Sequence, residues 1–219
     1  MNPLEFRVRK PDFRERPGPV LVLLHGRGSD MNDLQGLGEA LPANGALVTP
    51  QAPHPGGPWG YGPGWAWYRY LGEDRAEVPS LHRSLDALDD FLGRLDGILG
   101  FQPEPLVLGG FSQGATTSLA YAAEHPGAVS GVVVLSGFLV DPETTGIDLG
   151  GLSEKPVFWG HGTQDPAVPF SLALRGRERI RDQGGAVEAR DYAMGHWVTP
   201  QEISDLKAWL AASIPGWQG

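Results

Sequence analysis

The segment LGGFSQGAT, residues 108–116, places one serine, Ser112, between Gly110 and Gly114 at the end of an apolar run. It fits the pattern G-x-S-x-G, in which a serine stands on a sharp, strained turn between a strand and a helix. A side chain at either glycine would crowd the neighbouring strand and helix. Such a turn holds the Ser112 hydroxyl clear of the sheet and aims the amide of Gln113 at developing negative charge. The pattern alone also fits a glycine-rich turn with a solvated serine, so the surrounding sequence has to decide.

The chain around this segment contains several short apolar runs that predict strands. Near-continuous apolar runs are typical of parallel strands that are buried on both faces. These runs lie at residues 20–24, 46–48, 106–108, 132–135 and 157–159. Residues 4–8 alternate between apolar and charged side chains and predict a half-exposed edge strand, and residues 187–192 form a more polar candidate strand.

Helical patterns fall between these strands. Leucines repeat at spacings of three and four from residue 81 to residue 99, and a second helix is predicted from Gln113 to about His125. A third follows Pro169, and the last begins at TPQE, residues 199–202, which has the form of a capping box. Strands that alternate with helices predict one three-layer α/β domain over residues 1–219, with a mostly parallel sheet covered by helices on both faces.

The serine needs a base before it can act as a nucleophile, and six histidines are candidates. His196 lies in AMGHWV, a loop between the last predicted strand and the last predicted helix. A loop at that edge of the sheet can reach the serine, so His196 is the predicted base. The other histidines are expected to shape turns, cap helices or lie at the surface: His25, His54, His82, His125 and His161.

A histidine base in turn needs a carboxylate that fixes its tautomer and stabilises the imidazolium. Asp165 lies in HGTQDPAVP, directly after the strand at 157–159, and so emerges at the same edge as the serine. The chain order of serine, Asp165 and His196 is that of the α/β-hydrolases. Asp141 follows the preceding strand and is the rival acid, whereas Asp191 falls within a predicted strand and is expected to face solvent or pair locally.

These motifs resemble those of the phospholipase/carboxylesterase family of serine hydrolases, which includes the acyl-protein thioesterases. The matching pieces are LLHGRGSD, TPQAP, AWY, GGFSQGAT, VLSGFL, HGTQDPAVP and MGHWV, and they run in order from residue 23 to residue 198. The resemblance implies a compact α/β-hydrolase fold without a large cap domain. It also implies a catalytic triad of Ser112, Asp165 and His196, an oxyanion hole made by the backbone amides of Arg27 and Gln113, and no metal or other cofactor.

The chain departs from the family pattern in two places. The family often has an apolar residue after the first HG pair, where this chain has Arg27. The segment HPGGPWGYGPGW before AWY is unusually rich in tryptophan, glycine and proline, and regular structure is not expected there. Trp59 and Trp65 are therefore the candidates for an apolar wall at the substrate site, with a self-packed loop as the alternative.

Charge and composition exclude several classes of protein. The formal net charge is −9 and there is no basic cluster, so nucleic acid is not an expected partner. The absence of cysteine excludes disulfides, thiolate nucleophiles and cysteine metal sites, and the His and carboxylate residues show no metal-binding spacing. No signal peptide or membrane-length apolar run is evident, so we expect a cytoplasmic protein without stable membrane anchoring.

The sequence as a whole predicts a serine carboxylesterase acting through an acyl-enzyme intermediate. The family resemblance implies small-molecule esters of short to medium acyl chains as substrates, with an acyl thioesterase or a lysophospholipase as the alternative. A non-catalytic binding protein with this fold is the alternative from another class, and it is disfavoured because all three triad residues are present. The natural substrate, the acyl chain length and the oligomeric state stay open.

Overall fold

The fold is taken from a computed structural model that describes residues 3–10, 18–42 and 45–217. The strands are β1 (Phe6–Arg9), β2 (Gly18–Leu24), β3 (Ala46–Pro50), β4 (His54–Pro55), β5 (Trp65–Ala66), β6 (Tyr70–Gly72), β7 (Arg75–Ala76), β8 (Pro103–Phe111), β9 (Gly131–Leu135), β10 (Pro156–Gly162) and β11 (Ala186–Tyr192). The α-helices are α1 (Val78–Leu92), α2 (Leu95–Leu99), α3 (Gln113–Glu124), α4 (Pro142–Thr145), α5 (Phe170–Asp182) and α6 (Pro200–Ser213).

Seven of the strands form one central sheet in the order β1-β3-β2-β8-β9-β10-β11. The edge strand β1 is antiparallel to β3, and every other neighbouring pair in this sheet is parallel. The remaining strands make two small antiparallel pairs, β4 with β5 and β6 with β7, in the connection between β3 and α1. The central parallel strands therefore end at one common edge, where their loops meet.

Both faces of the sheet are buried, because alternate residues of one strand belong to different hydrophobic clusters. Val20 and Val22 of β2 pack into the larger cluster, which also holds apolar residues of α1, α3 and α5. Leu21 and Leu23 pack into the smaller cluster with residues of α6. This arrangement is the predicted three-layer α/β architecture with helices on both faces, and the structure adds no large cap.

Two local predictions need correction. The leucine repeat from 81 to 99 predicts one continuous helical stretch, but α1 ends before Gly93 and α2 begins after Arg94. Glycine is costly inside a helix because it loses the most backbone freedom, and this break lets Leu92 and Leu95 both stay buried.

Among the described residues, no helix is long and apolar enough to cross a membrane.

The predicted capping box at the start of α6 forms only in part. The Thr199 hydroxyl accepts a 3.2 Å hydrogen bond from the backbone N–H of Glu202, as a capping box requires. The backbone N–H of Thr199 lies near enough to the Glu202 carboxyl to lower its pKa, but the carboxyl is buried against the backbone of Gly160 on β10 and does not make the full reciprocal hydrogen bond. The helix is therefore capped, but one acidic side chain is enclosed in the layer between α6 and the sheet.

Candidate active site

Ser112 lies on a strained turn between β8 and α3. Its φ angle is 52°, in the left-handed region that few non-glycine residues adopt. A Cβ atom at Gly110 would stand 2.4 Å from the carbonyl oxygen of Leu24, and one at Gly114 would stand 2.0 Å from the same oxygen. Only glycine allows β2, β8 and α3 to approach so closely, which explains both glycines of the G-x-S-x-G pattern.

Asp165 and His196 come together at the carboxyl edge of the sheet. Asp165 follows β10, His196 lies in the loop between β11 and α6, and the Nδ1 atom of His196 is 2.6 Å from Oδ2 of Asp165. The other carboxylate oxygen, Oδ1, accepts hydrogen bonds of 2.8 Å from the backbone N–H groups of Ala167 and Val168. The Asp165 carboxylate is fully buried, so the His196 ring is held by a fixed acceptor on its Nδ1 side.

The two rival carboxylates have other partners. Asp141 caps α4 by accepting a bond from the N–H of Glu143, and its carboxylate also lies 3.6 Å from Arg179. Asp191 is partly exposed and accepts a 2.6 Å bond from Arg177 of α5. Neither carboxylate therefore occupies the position beside His196 that Asp165 occupies.

His25 directly follows β2 and His161 lies in β10, and both make structural hydrogen bonds. The ring of His25 accepts the backbone N–H of Ala52 at Nε2, so Nδ1 carries the proton and donates to the carbonyl of Gly26. Nε2 of His161 lies 2.9 Å from the carbonyl oxygen of Val168. Burial lowers the pKa of both histidines, which keeps them neutral and suits a structural role.

Ser112 and His196 line one cavity of about 170 Å³. Apart from Ser112, His196, Arg27 and Gln113, the residues of its wall are aromatic or aliphatic. The lining residues are Arg27, Tyr68, Tyr70, Ser112, Gln113, Phe138, Ala167, Val168, Leu172 and His196. Burial raises the pKa of the Tyr68 phenol, so this residue adds no charge to the wall.

The side chain of Gln113 is anchored to the aromatic segment AWY, a role that the sequence analysis did not predict. Its Oε1 accepts a 2.8 Å bond from the N–H of Trp67, and its Nε2 donates a 2.8 Å bond to the carbonyl of Tyr68. The indole N–H of Trp67 donates to the carbonyl of His25, at the start of the loop that carries Arg27. Trp67 therefore connects the loop that carries Arg27 with the start of α3 at Gln113, and these two segments supply the predicted amide donors.

Trp59 and Trp65 do not line the cavity, contrary to the expected aromatic wall. Trp59 packs against the rings of His54 and Tyr61, with centroids 5.0 and 5.9 Å away, and so belongs to a self-packed cluster. The backbone of Trp65 bonds to Gly28 and Ser29, which makes it a support for the loop after Arg27. The aromatic side chains that do line the cavity are those of Tyr68, Tyr70 and Phe138.

His196 also lines a second, more open groove of about 440 Å³. Most of its lining side chains are apolar, and Trp197 within it is 57% exposed. The lining residues are Asp33, Leu34, Gly36, Leu37, Phe111, His196, Trp197, Val198 and Ile203. His196 lines both the cavity and this groove, so its ring stands between two spaces that a substrate could occupy.

The seven-stranded sheet, the serine turn and the hydrogen-bonded Asp165–His196 pair define an α/β-hydrolase, and the relatives of the chain give the family. Residues 6–214 match the Phospholipase/Carboxylesterase family, so the chain belongs to that family. An esterase named PE8 superimposes with a TM-score of 0.82 at 28% identity, over 97% of this chain and all of the other. Acyl-protein thioesterase 2 of Zea mays gives a TM-score of 0.74 at 26% identity, over 95% of this chain and 98% of that one.

Sequence relatives include several proteins named acyl-protein thioesterase 1. That of Kluyveromyces lactis is 29% identical over 214 residues, which is 89% of this chain and 92% of the relative. That of Saccharomyces cerevisiae is 34% identical over 122 residues, so the chain matches 52% of its length. The family and its structural neighbours are hydrolases, comprising esterases and thioesterases.

Proposed function

We propose that the protein is a serine hydrolase that cleaves carboxylic esters, with Ser112 as nucleophile, His196 as base and Asp165 as the acid that orients the base. The observation that carries the proposal is the meeting of the strained Ser112 turn and the Asp165–His196 pair at one cavity. A serine at a nucleophile elbow beside a histidine that a buried carboxylate orients is the constellation of serine hydrolases.

The proposed reaction follows from this arrangement. Asp165 accepts from Nδ1–H of His196, which leaves the lone pair of Nε2 to take the Ser112 proton as Oγ attacks the ester carbonyl. The backbone amides of Arg27 and Gln113 stabilise the oxyanion. When the tetrahedral intermediate collapses, the carbon–oxygen bond to the alcohol breaks and Nε2–H protonates the departing oxygen. Water then attacks the acyl-enzyme by the same route and releases the acid.

The two spaces beside His196 match the two halves of an ester. The smaller cavity of about 170 Å³ suits a short acyl group, because a cavity of about 150 Å³ holds a ligand the size of benzene. The open groove at Trp197 suits the alcohol half, which does not have to be enclosed. We therefore propose short acyl chains as substrates, toward the lower end of the short to medium range.

An acyl thioesterase is the second candidate, and its support is the acyl-protein thioesterases among the relatives. The same residues would act on a thioester, with a thiol in place of the alcohol as leaving group. A pair of substrates with one acyl chain, an oxygen ester and its thioester, separates the two candidates by the ratio of their kcat/KM values.

The test of the proposed function is hydrolysis of p-nitrophenyl esters of graded chain length by the wild-type chain and by Ser112→Ala. We expect the variant to keep its fold and to lose kcat by about 10⁵–10⁶-fold. A fluorophosphonate probe should label the wild type at Ser112 alone. Labelling at another residue, or an active Ser112→Ala variant, would refute the assignment, and a wild type without turnover would favour a binding protein.

A further inference from the structure

The guanidinium of Arg27 stands between two tyrosine rings at the cavity. Its central carbon lies 4.7 Å from the ring centroid of Tyr61 and 5.2 Å from that of Tyr70, and Tyr70 lines the cavity together with Arg27. The N–H of Tyr70 donates a 2.8 Å bond to the hydroxyl of Tyr61, which holds the two tyrosines together. A guanidinium held over a ring by such a cation–π contact keeps N–H donors for an acceptor, and Arg27 is an exposed residue.

Among the described residues, no carboxylate forms an ion pair with Arg27, in contrast to two other arginines of this region. Arg69 pairs with Glu77 and Arg175 pairs with Asp74. Asp74 is near enough to Tyr70 to affect its titration, yet its carboxylate is engaged by Arg175. The chain as a whole carries a net charge of −9, so an arginine without an acidic partner beside the proposed nucleophile stands out.

We propose that the Arg27 guanidinium binds an anionic group of the substrate, and that the preferred substrates are esters whose short acyl group ends in a carboxylate. This inference rests on the proposed function. The cavity holds about six to eight non-hydrogen atoms, on the scale of a benzene-sized site, which matches the acyl half of a monoester of a four- or five-carbon dicarboxylic acid. Arg27 and Ser112 line the same cavity, so an acyl group bound at Ser112 shares that space with Arg27.

The chemistry of the two groups supports this assignment. A guanidinium presents paired N–H donors that match the two oxygens of a carboxylate, and such charge-assisted bonds are stronger than neutral ones. The stacking on Tyr61 and Tyr70 restricts the side chain before the substrate arrives, which lowers the entropy lost on binding. A neutral acyl chain of the same shape fills the same space but leaves the guanidinium without an acceptor.

The experiment compares monoethyl glutarate with ethyl 5-oxohexanoate, in which a methyl ketone replaces the carboxylate at nearly the same size. The readout is the ratio of the two kcat/KM values, anionic over neutral, so that general effects on the machinery cancel. We expect a wild-type ratio above one that falls about tenfold or more in Arg27→Leu. Arg27→Lys keeps the charge but loses the planar donor pair, so it should give an intermediate ratio. Added salt should lower the wild-type ratio.

The control is Arg83→Leu, an exposed position of α1 that removes the same charge away from the cavity and should leave the ratio at its wild-type value. If the wild type cleaves the neutral ester and the ratio is the same in Arg27→Leu and Arg83→Leu, this inference is wrong and the proposed function stands. If neither ester nor any p-nitrophenyl ester is cleaved, the proposed function itself fails. Should Arg27→Leu not fold, Arg27→Lys and the salt dependence still decide the question.

Discussion

The carboxylate of Asp165 is buried 2.6 Å from Nδ1 of His196, and its second oxygen accepts two backbone N–H bonds. Those N–H groups belong to Ala167 and Val168, two and three residues further along the same loop. The loop therefore holds the carboxylate in one orientation, and the carboxylate holds the imidazole. The alignment of the proposed base consequently depends on a short stretch of backbone after β10.

Replacing Asp165 by asparagine should keep this geometry but disturb the proton on His196. An amide can donate to Nδ1, which would favour the tautomer with the proton on Nε2, where the Ser112 proton has to arrive. We expect kcat to fall by about 10³–10⁴-fold with little change in the fold. The measurement is steady-state hydrolysis of a p-nitrophenyl ester, with circular dichroism as the check of folding.

Asp141→Asn is the matched control for Asp165→Asn. Asp141 caps α4 and lies beside Arg179, so the variant should lose some stability but much less than tenfold in kcat. If Asp141→Asn were the more damaging of the two for kcat, the assignment of the acid would have to be reversed.

Gln113→Ala should loosen the segment that forms the aromatic wall. The variant leaves the buried N–H of Trp67 and the buried carbonyl of Tyr68 without their partner, which costs about 1–3 kcal/mol for each unsatisfied group. It should also lower kcat/KM, because the Tyr68 wall and the loop at His25 depend on the same contacts. Urea unfolding and ester hydrolysis measure the two effects.

Gln201→Ala provides the comparison for Gln113→Ala. Gln201 is exposed on α6 and its side chain donates to Asp205 in the same helix, so its removal should change the free energy of unfolding by less than about 0.5 kcal/mol. Equal losses of stability in the two glutamine variants would mean that the hydrogen bonds of Gln113 to the aromatic segment do not contribute to the free energy of unfolding.

Much of the fold could be predicted because the strands are buried on both faces. The alternate side chains of β2 enter two different cores, so every position from Val20 to Leu24 has to be apolar and the strand is visible as a continuous run. The order of strands is not visible in that pattern, since it depends on contacts between residues far apart in the chain. The helix break at Gly93 was missed because the leucine spacing continues across it.

The position of Ser112 on a sharp turn could also be predicted from the local sequence, because the turn needs glycine at fixed neighbouring positions. No local sequence pattern of this kind indicates that Gln113 contacts Trp67 or that Arg27 contacts Tyr61. The first joins residues 46 positions apart, and no local pattern fixes which loop a side chain will contact. The same limitation explains why Trp59 and Trp65, which share the aromatic segment with Tyr68 and Tyr70, were expected at the cavity.

The buried carboxyl of Glu202 should make stability fall as pH rises. The carboxyl is packed against the backbone of Gly160, and the nearby backbone N–H of Thr199 offsets only part of the cost of burying its charge. Burial raises the pKa of Glu202 to about 8 from the ordinary value of 4.5. Between these values the folded chain holds a proton that the unfolded chain has released, so the free energy of unfolding decreases by up to about 1.4 kcal/mol per pH unit.

Glu202→Gln tests this pH dependence because it keeps the shape of the side chain and removes the titration. The variant should have a shallower decline of stability between pH of about 4.5 and 8, and should be more stable than the wild type at the upper end. Glu178→Gln, at an exposed position of α5, controls for the loss of one acidic side chain. Urea unfolding at several pH values gives the slopes, and parallel curves for wild type and Glu202→Gln would contradict the expectation.

The residue that limits acyl length should be Phe138 and not Trp59. Phe138 is buried, lines the cavity and packs near Tyr70, with ring centroids 6.1 Å apart. Phe138→Leu shortens this wall and should shift the preferred p-nitrophenyl ester toward longer acyl chains, by about 1–3 kcal/mol in relative kcat/KM. Trp59→Leu removes a larger ring from a cluster outside the cavity, so it should leave the chain-length profile as it is in the wild type. Melting temperatures of both variants separate a changed wall from a weakened fold. A profile that changes in Trp59→Leu and not in Phe138→Leu would mean that the loop around Trp59, and not Phe138, limits the acyl length.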